Sequence, residues 1–503
     1  MICFFQISCL YLLYNINTIL ISYIRYKKTK SGQTYSYQIT ASWNPEKKQS
    51  RSTSKYLGVL GPDGKVIPTG HSKKGRTKKV KPDPLVLDFG DSFLVEQAIK
   101  QSAIYQPLQP LFQQFSNLLP LMIYRLSNPG PMYNADFWLE GNAIKLTQKK
   151  FSLASQDISR LLAYLGEESV QRDFFSQYLN SQDKQGPKNI IIDATSLPNQ
   201  IDVAFNAWGY AGPGVDKQFR FHCVVDQLTK KPLFYRYVPG NLADVASLQV
   251  TIQELKELGV NQSFALLDAG YCSQNNINLL RTHHIDFLMR LPAGRKLFKN
   301  LVKNYANQLE TLEHAIQYGK RSLFVLRCEL EDLYGQPGYA YMILDPQRKA
   351  KNIQELIMER NNKEAEEIDQ EKDQETFSQA GMFALISSKP IPAQEVVQAY
   401  YTRQSVEQIF GFAKDDMELL PIRCHKEETI RGYLFLQFLL LVVYLEMRQK
   451  LGGHYTVEQA LLICRGLKCK KYPEKALVQD LTKHQRDIFR LSSIIVPTFI
   501  SGI

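Results

Sequence analysis

The chain has 503 residues, 44% hydrophobic and 22% charged: enough apolar material for two to four domains with real cores, and too much for a disordered protein. Its 61 lysines and arginines outnumber 49 acids, for a net charge of +12, which suits a polyanionic partner such as nucleic acid. The eight cysteines include no C-x2-C pair, so neither a zinc site nor a disulfide framework is expected, and reduced cysteines fit a cytoplasmic protein.

Residues 1–24 carry no charge and are followed by Arg25, Lys27, Lys28 and Lys30. No cation precedes the apolar run and no small-residue cleavage site closes it, which disfavours a signal peptide. Two readings stay open: translated upstream DNA ahead of the true start, or a membrane anchor. Gln6, Asn15, Asn17 and Thr18 weaken the anchor, and membrane association is not expected. Residues 25–85 read as a small β region, where TYSYQITASW alternates polar with apolar, followed by a basic linker. In that linker Lys73, Lys74, Arg76, Lys78, Lys79 and Lys81 are spaced to lie along phosphates or in water. Residues 86–185 turn helical, with 3–4 spacing in LVEQAIKQSAIY and ISRLLAYLGEESVQRDFFSQYLN.

At residues 186–295 the texture changes. NIIIDATSLPN predicts a buried strand ending in Asp193, and FRFHCVVDQ and PLFYRYVPGN continue it as an antiparallel meander. DVASLQVTIQELKELGV is an amphipathic helix with Asp244 as its expected N-cap. SFALLDAGYCS then runs a second apolar strand into Asp268, followed by a helix and the strand DFLMRLP. Across 296–380, SLFVLRCEL and GYAYMILD are strand-like, while MERNNKEAEEIDQEKDQE is a solvated helix or disordered. Over 381–450, GMFALISSKP returns to the core, and a helix opens near Pro392 and is expected to run through Glu407. The apolar run in IRGYLFLQFLLLVVYLEM, about fifteen residues, is too short for a bilayer and is expected to be a buried core helix. Residues 451–503 read as a helical tail with a basic loop, KCKKYPEK.

Within that helix, Tyr400, Arg403, Glu407 and Lys414 follow steps of three, four and seven and fall on one stripe. Arg403 and Glu407 alone are what any solvated helix shows. An acid between cations and a phenol, added to two strand-end aspartates, suits a metal beside a phosphate backbone.

The spacing Y-x2-R-x3-E-x6-K, with Asp193, Asp268, Gly240-Asn241-x2-Asp244 and Arg431-Gly432, resembles the signature of DDE insertion-sequence transposases over residues 189–450. The resemblance implies an α/β protein: an RNase H-like catalytic core in two parts, 186–295 and 381–450, split by a β-rich insertion. The small β region and a helical DNA-binding region would precede it. It implies Asp193, Asp268 and Glu407 as catalytic ligands of two Mg2+ or Mn2+ ions, and Tyr400, Arg403 and Lys414 as binders of the DNA backbone near the cut. The implied activity is cleavage and strand transfer of element ends. The implied partners are terminal inverted repeats and target DNA, held by a homodimer assembled on DNA, with no small-molecule substrate. Two features depart from the pattern: Ala269 stands where relatives often carry a basic residue, and none of Trp43, Trp138 and Trp208 falls in the insertion. An RNase H-like nuclease without strand transfer, or a decayed end-binding protein, are the alternative readings.

Overall fold

The computed structural model describes residues 11–15, 18–29, 32–44, 49–68, 84–148, 151–182, 186–211, 214–242, 244–362, 369–417 and 419–501. The first ten residues and the linker cations Lys73 to Lys81 therefore lie outside the described residues. The chain divides into two compact units, Met1–Asp83 and Pro84–Ile503.

The first unit is a five-stranded antiparallel sheet in chain order, Tyr11–Asn15, Thr18–Lys28, Thr34–Asn44, Gln49–Leu60 and Val66–Ile67. The β region thus begins earlier than expected, because Thr18–Lys28 pairs continuously with the next strand from Leu20↔Ser42 to Lys28↔Thr34. The boundary expected at residue 24 falls inside that strand. Pairing is carried by backbone hydrogen bonds, which the absence of charged side chains does not interrupt.

The second unit is built on a large mixed sheet. At its centre Lys188–Pro198 lies parallel to Gln262–Leu267, which lies parallel to Asp286–Leu291. On the other side Gly214–Asp226 and Pro232–Pro239 run antiparallel, as the meander predicts. Asp244–Glu257 and Gln274–Thr282 are the crossover helices that parallel pairing requires. The insertion does not stand apart. Met382–Ser387 pairs with both Asp286–Leu291 and Gly338–Leu344, so Arg321–Leu330 and Ala315–Tyr318 extend the same sheet. Helices fill the rest of the insertion, including Lys296–Leu309 and Pro346–Asn361.

Three further expectations are corrected. The tail is not only helix and loop: Lys468–Lys471, Lys475–Val478 and Phe499–Ser501 form a four-stranded antiparallel sheet with Leu85–Asp88. KCKK is a strand because Cys469 points into the core between outward lysines, and Lys468 pairs with Asp88 at 2.6 Å. The apolar run belongs to a longer helix, Glu427–Leu451, whose charged ends flank a buried middle. Among the described residues it alone is long and apolar enough to cross a membrane, and 83% of its apolar window is buried against the rest of the unit. It packs on Ser155–Leu165.

The signature helix is not continuous. It runs Ala393–Tyr401, breaks, resumes as Gln404–Gly411, and ends in a π turn, Phe412–Asp416. At the break, the amides of Arg403, Ser405 and Val406 bond three residues back. The hydroxyls of Thr402 and Ser405 take up the carbonyls of Ala399 and Thr402, a local competition that tightens the turn.

Candidate active site

Sheet register brings the two aspartates together. Parallel pairing between Lys188–Pro198 and Gln262–Leu267 ends at Ile192↔Leu267, so the next residue on each chain, Asp193 and Asp268, emerges side by side. Asp193 is not at its strand's end: antiparallel pairing on the other side carries the strand on to Pro198↔Gln218. Asp268 directly follows its strand's last residue, Leu267, and holds the N-cap position of the short turn Ala269–Tyr271 without a side-chain cap bond. That turn has Gly270 because a Cβ there would sit 2.7 Å from the Asp244 carboxylate.

The broken helix delivers the third acid and a cation between all three. Arg403 Nη1 lies 2.9 Å from Asp193 Oδ2 and 3.7 Å from Asp268 Oδ2, while its Nη2 lies 2.7 Å from Glu407 Oε1. The break matters here, since it rotates Arg403 inward at the start of the second helix, with Glu407 one turn later. Tyr400 donates its hydroxyl to Asp268 Oδ1 at 3.3 Å, and the guanidinium sits 5.8 Å above its ring. Burial, and then Asp268, push the Tyr400 phenol up to about 12. Lys414 is placed differently. It lies half-buried in the π turn, where burial lowers its pKa against the pull of Asp415.

The electrostatics favour a cation at this point. Burial raises the Asp193 carboxyl to about 6, opposed by Arg403 and by the Ala194 amide and reinforced by Asp268 and Glu407. Burial works against the charge of Arg403, yet the three acids hold it above its ordinary value. Three hard oxygen donors around one positive charge are the donor set that Mg2+ or Mn2+ takes, and the guanidinium stands in for that charge. Among the described residues no three acidic, His or Cys side chains close on a single point as a formed metal shell, because the carboxylates are spread around Arg403.

Behind the aspartates lies a buried polar layer that sequence reasoning described only in part. Asp244 is the first residue of its helix, not a residue preceding it, and its carboxylate takes Arg220 at 2.9 Å. His222, opposite Ala194, has Nδ1 2.9 Å from the Tyr271 hydroxyl. The Asp244 carboxylate is 3.8 Å from Nε2 but is already neutralised by Arg220 and leaves the imidazole uncharged. Burial, then Arg220 and Arg236, depress its pKa from 6.5 to about 3. Below pH 6.5 an unfolded chain takes up a proton that folded His222 refuses, so this contribution to stability is full above that pH and is lost as pH falls toward about 3. Urea midpoints of the native chain and of His222→Gln, measured from pH 8 to pH 4, should keep a constant difference above pH 6.5 and shift against the native chain below it. A difference that does not change with pH would contradict a neutral buried ring.

Residues 184–443, more than half of the chain, match the family described as Transposase DDE domain. The chain belongs to that family. It is a transposase, an enzyme of mobile DNA elements that binds element ends and catalyses metal-dependent DNA cleavage and strand transfer. No curated protein matches it. A piggyBac transposase synaptic complex with hairpin DNA aligns over 80% of this chain and 70% of its own, at 11% identity and a TM-score of 0.35. A Drosophila P element transposase strand transfer complex aligns over 70% and 89%, at 10% identity and a TM-score of 0.16.

Proposed function

We propose that Asp193, Asp268 and Glu407 are the catalytic triad of an RNase H-like core and hold two Mg2+ or Mn2+ ions. The observation that carries this is the convergence of all three carboxylates on the Arg403 guanidinium. Two antiparallel strands, then the Asp193 strand, then two strands parallel to it, support the RNase H-like reading. Ions bound there would activate water or a 3′ hydroxyl and stabilise the leaving oxygen. The chain's own residues do the rest. Asp193 is fixed by its strand and the Ala194 amide, Tyr400 orients Asp268, and Glu407 faces solvent where DNA arrives.

Arg403 keeps the acids together in the absence of metal. Arg403 and Lys414 would grip phosphates near the cut, with Tyr400 packed beneath the Arg403 guanidinium. The substrates are the terminal inverted repeats of the element and a target DNA, bound by a homodimer assembled on DNA, with the helices of residues 86–185 reading the ends. The site of action is chromosomal DNA in the cytoplasm.

Strand transfer separates this reading from that of a nuclease with the same triad. Given a pre-cut element end, Mg2+ and a supercoiled plasmid, the chain should join the 3′ end to the plasmid, and joined molecules appear on a gel. Nicked or degraded plasmid with no joined product would select the nuclease.

A further inference from the structure

The first unit carries the net charge of the whole protein. Residues 1–83 hold fifteen of the lysines and arginines and three of the acids, while residues 84–503 hold 46 of each, so the +12 belongs entirely to the smaller unit. Strand register sorts part of that charge onto one face of the sheet. Arg25 stands opposite Tyr37 and Tyr37 opposite Tyr56; two residues along, Lys27 stands opposite Tyr35 and Tyr35 opposite Val59. Side chains directly opposite one another, or two apart on a strand, share a face, so each row runs from a cation to an aromatic ring. The third tyrosine reaches this face through a bulge. Gly58 pairs with Ser36 and Tyr56 with Tyr37, which leaves Leu57 as the extra residue; in a regular ladder Leu57 would stand opposite Tyr37 and Tyr56 would point to the other side. The Tyr56 ring is centred 5.9 Å from Tyr35 and 5.4 Å from Tyr37, inclined at 50° and 53°, so it is not stacked flat on either neighbour. Arg25, Lys27 and Tyr56 are exposed. Asp63, the one acid among the described residues of this unit, sits in a turn and takes the Lys65 amide at 3.2 Å.

We propose that this face binds an unpaired DNA strand, with Tyr35, Tyr37 and Tyr56 stacking on bases and Arg25 and Lys27 holding phosphates. The proposal rests on the transposase reading, in that DNA is the substrate, and adds to it a binding surface outside the catalytic unit and a preference for strands that have been opened. Aromatic rings on a sheet face take bases that are free of their own stack, whereas the bases of a duplex are already stacked on one another. Charge argues against the other occupants. A second copy of the chain would bring a second +12 unit against the first. An acidic protein segment would satisfy the cations and leave the rings without flat partners.

The test is fluorescence anisotropy of a short fluorescein-labelled oligothymidylate with the full chain, in EDTA so that nothing is cut, across a salt series. The native chain should bind it. Tyr37→Ala and Tyr56→Ala should each weaken binding by about fivefold or more, the loss of one base stack, with the salt slope unchanged. Arg25→Gln and Lys27→Gln should instead each flatten the plot of log affinity against log salt by about 0.7. Tyr37→Phe and Tyr56→Phe should bind as the native chain does, since stacking uses the ring. Tyr26→Ala, which removes an exposed ring from the opposite face, should also bind as the native chain does. Native affinity in both tyrosine-to-alanine variants at 37 and 56 would overturn the proposal, and affinity lost in the Phe variants as well would assign these tyrosines to the packing of the sheet. If the native chain ignores the oligomer but binds a duplex of the element's end, the proposal fails alone; if it binds neither, the end-binding reading fails with it. Oligouridylate bound more tightly than oligothymidylate would move the ligand from DNA to RNA and overturn the proposal as well.

Discussion

Asp193→Asn, Asp268→Asn and Glu407→Gln should each cut cleavage of element-end DNA in Mg2+ by about a thousandfold or more, because in the proposed two-ion site each supplies one anionic ligand. DNA affinity should stay within about threefold, since these acids repel the backbone and the surrounding cations attract it. The amides keep the volume of the native side chains, and Asn at 193 still offers an oxygen to the Ala194 amide, which Asp193 now satisfies at 3.0 Å. Gel assays of cleavage and binding on the same preparations decide the point. Loss of binding together with cleavage would make the acids structural partners of Arg403 and not metal ligands.

The largest expected effect on stability comes from a residue far from the chemistry. Glu427–Leu451 crosses Ser155–Leu165 with the two backbones in contact, and a Cβ at Gly432 would lie 1.8 Å from the Leu162 carbonyl oxygen. The contact is reciprocal, since a Cβ at Gly166 would lie 1.9 Å from the Glu428 carbonyl oxygen. Neither neighbour is the free end of a side chain, so the helices must separate to admit a methyl group. Gly432→Ala is therefore expected to cost about 3 kcal/mol or more, at the upper end of overpacking penalties. Gly411→Ala is the contrasting case: it is helical at φ −56° and has nothing within 4 Å of its Cβ position, so stability should rise by about 0.5 kcal/mol. Denaturant midpoints of the full chain measure both. A Gly432→Ala midpoint equal to that of the native chain would mean that the crossing is looser than drawn.

Gly432 also shows how much of this protein its sequence discloses. Arg431-Gly432 stands out as a motif, but only the crossing explains why the second residue has no side chain. The strands carrying Asp193 and Asp268 are legible because each holds a run of buried aliphatics leading into an acid, although the Asp193 strand runs on to Pro198. Their adjacency depends on the parallel register Ile192↔Leu267, which no local pattern encodes. Tyr400, Arg403 and Glu407 are legible as a stripe, and all three reach the site. The break at Thr402 and the π turn that carries Lys414 are not legible in that stripe, because a regular 3.6-residue period assumes one continuous helix. The tail strand Lys468–Lys471 pairs with Leu85–Asp88 from the far end of the unit, and a short strand with one buried residue carries too little periodicity to announce itself.

The most direct test of the metal site is a crystal of the chain with element-end DNA and Mn2+, examined by anomalous scattering. The account predicts anomalous density between Asp193, Asp268 and Glu407, with the Arg403 guanidinium turned from the acids toward a DNA phosphate. An Arg403 that still bridges the three carboxylates, with no anomalous density among them at saturating Mn2+, would contradict it.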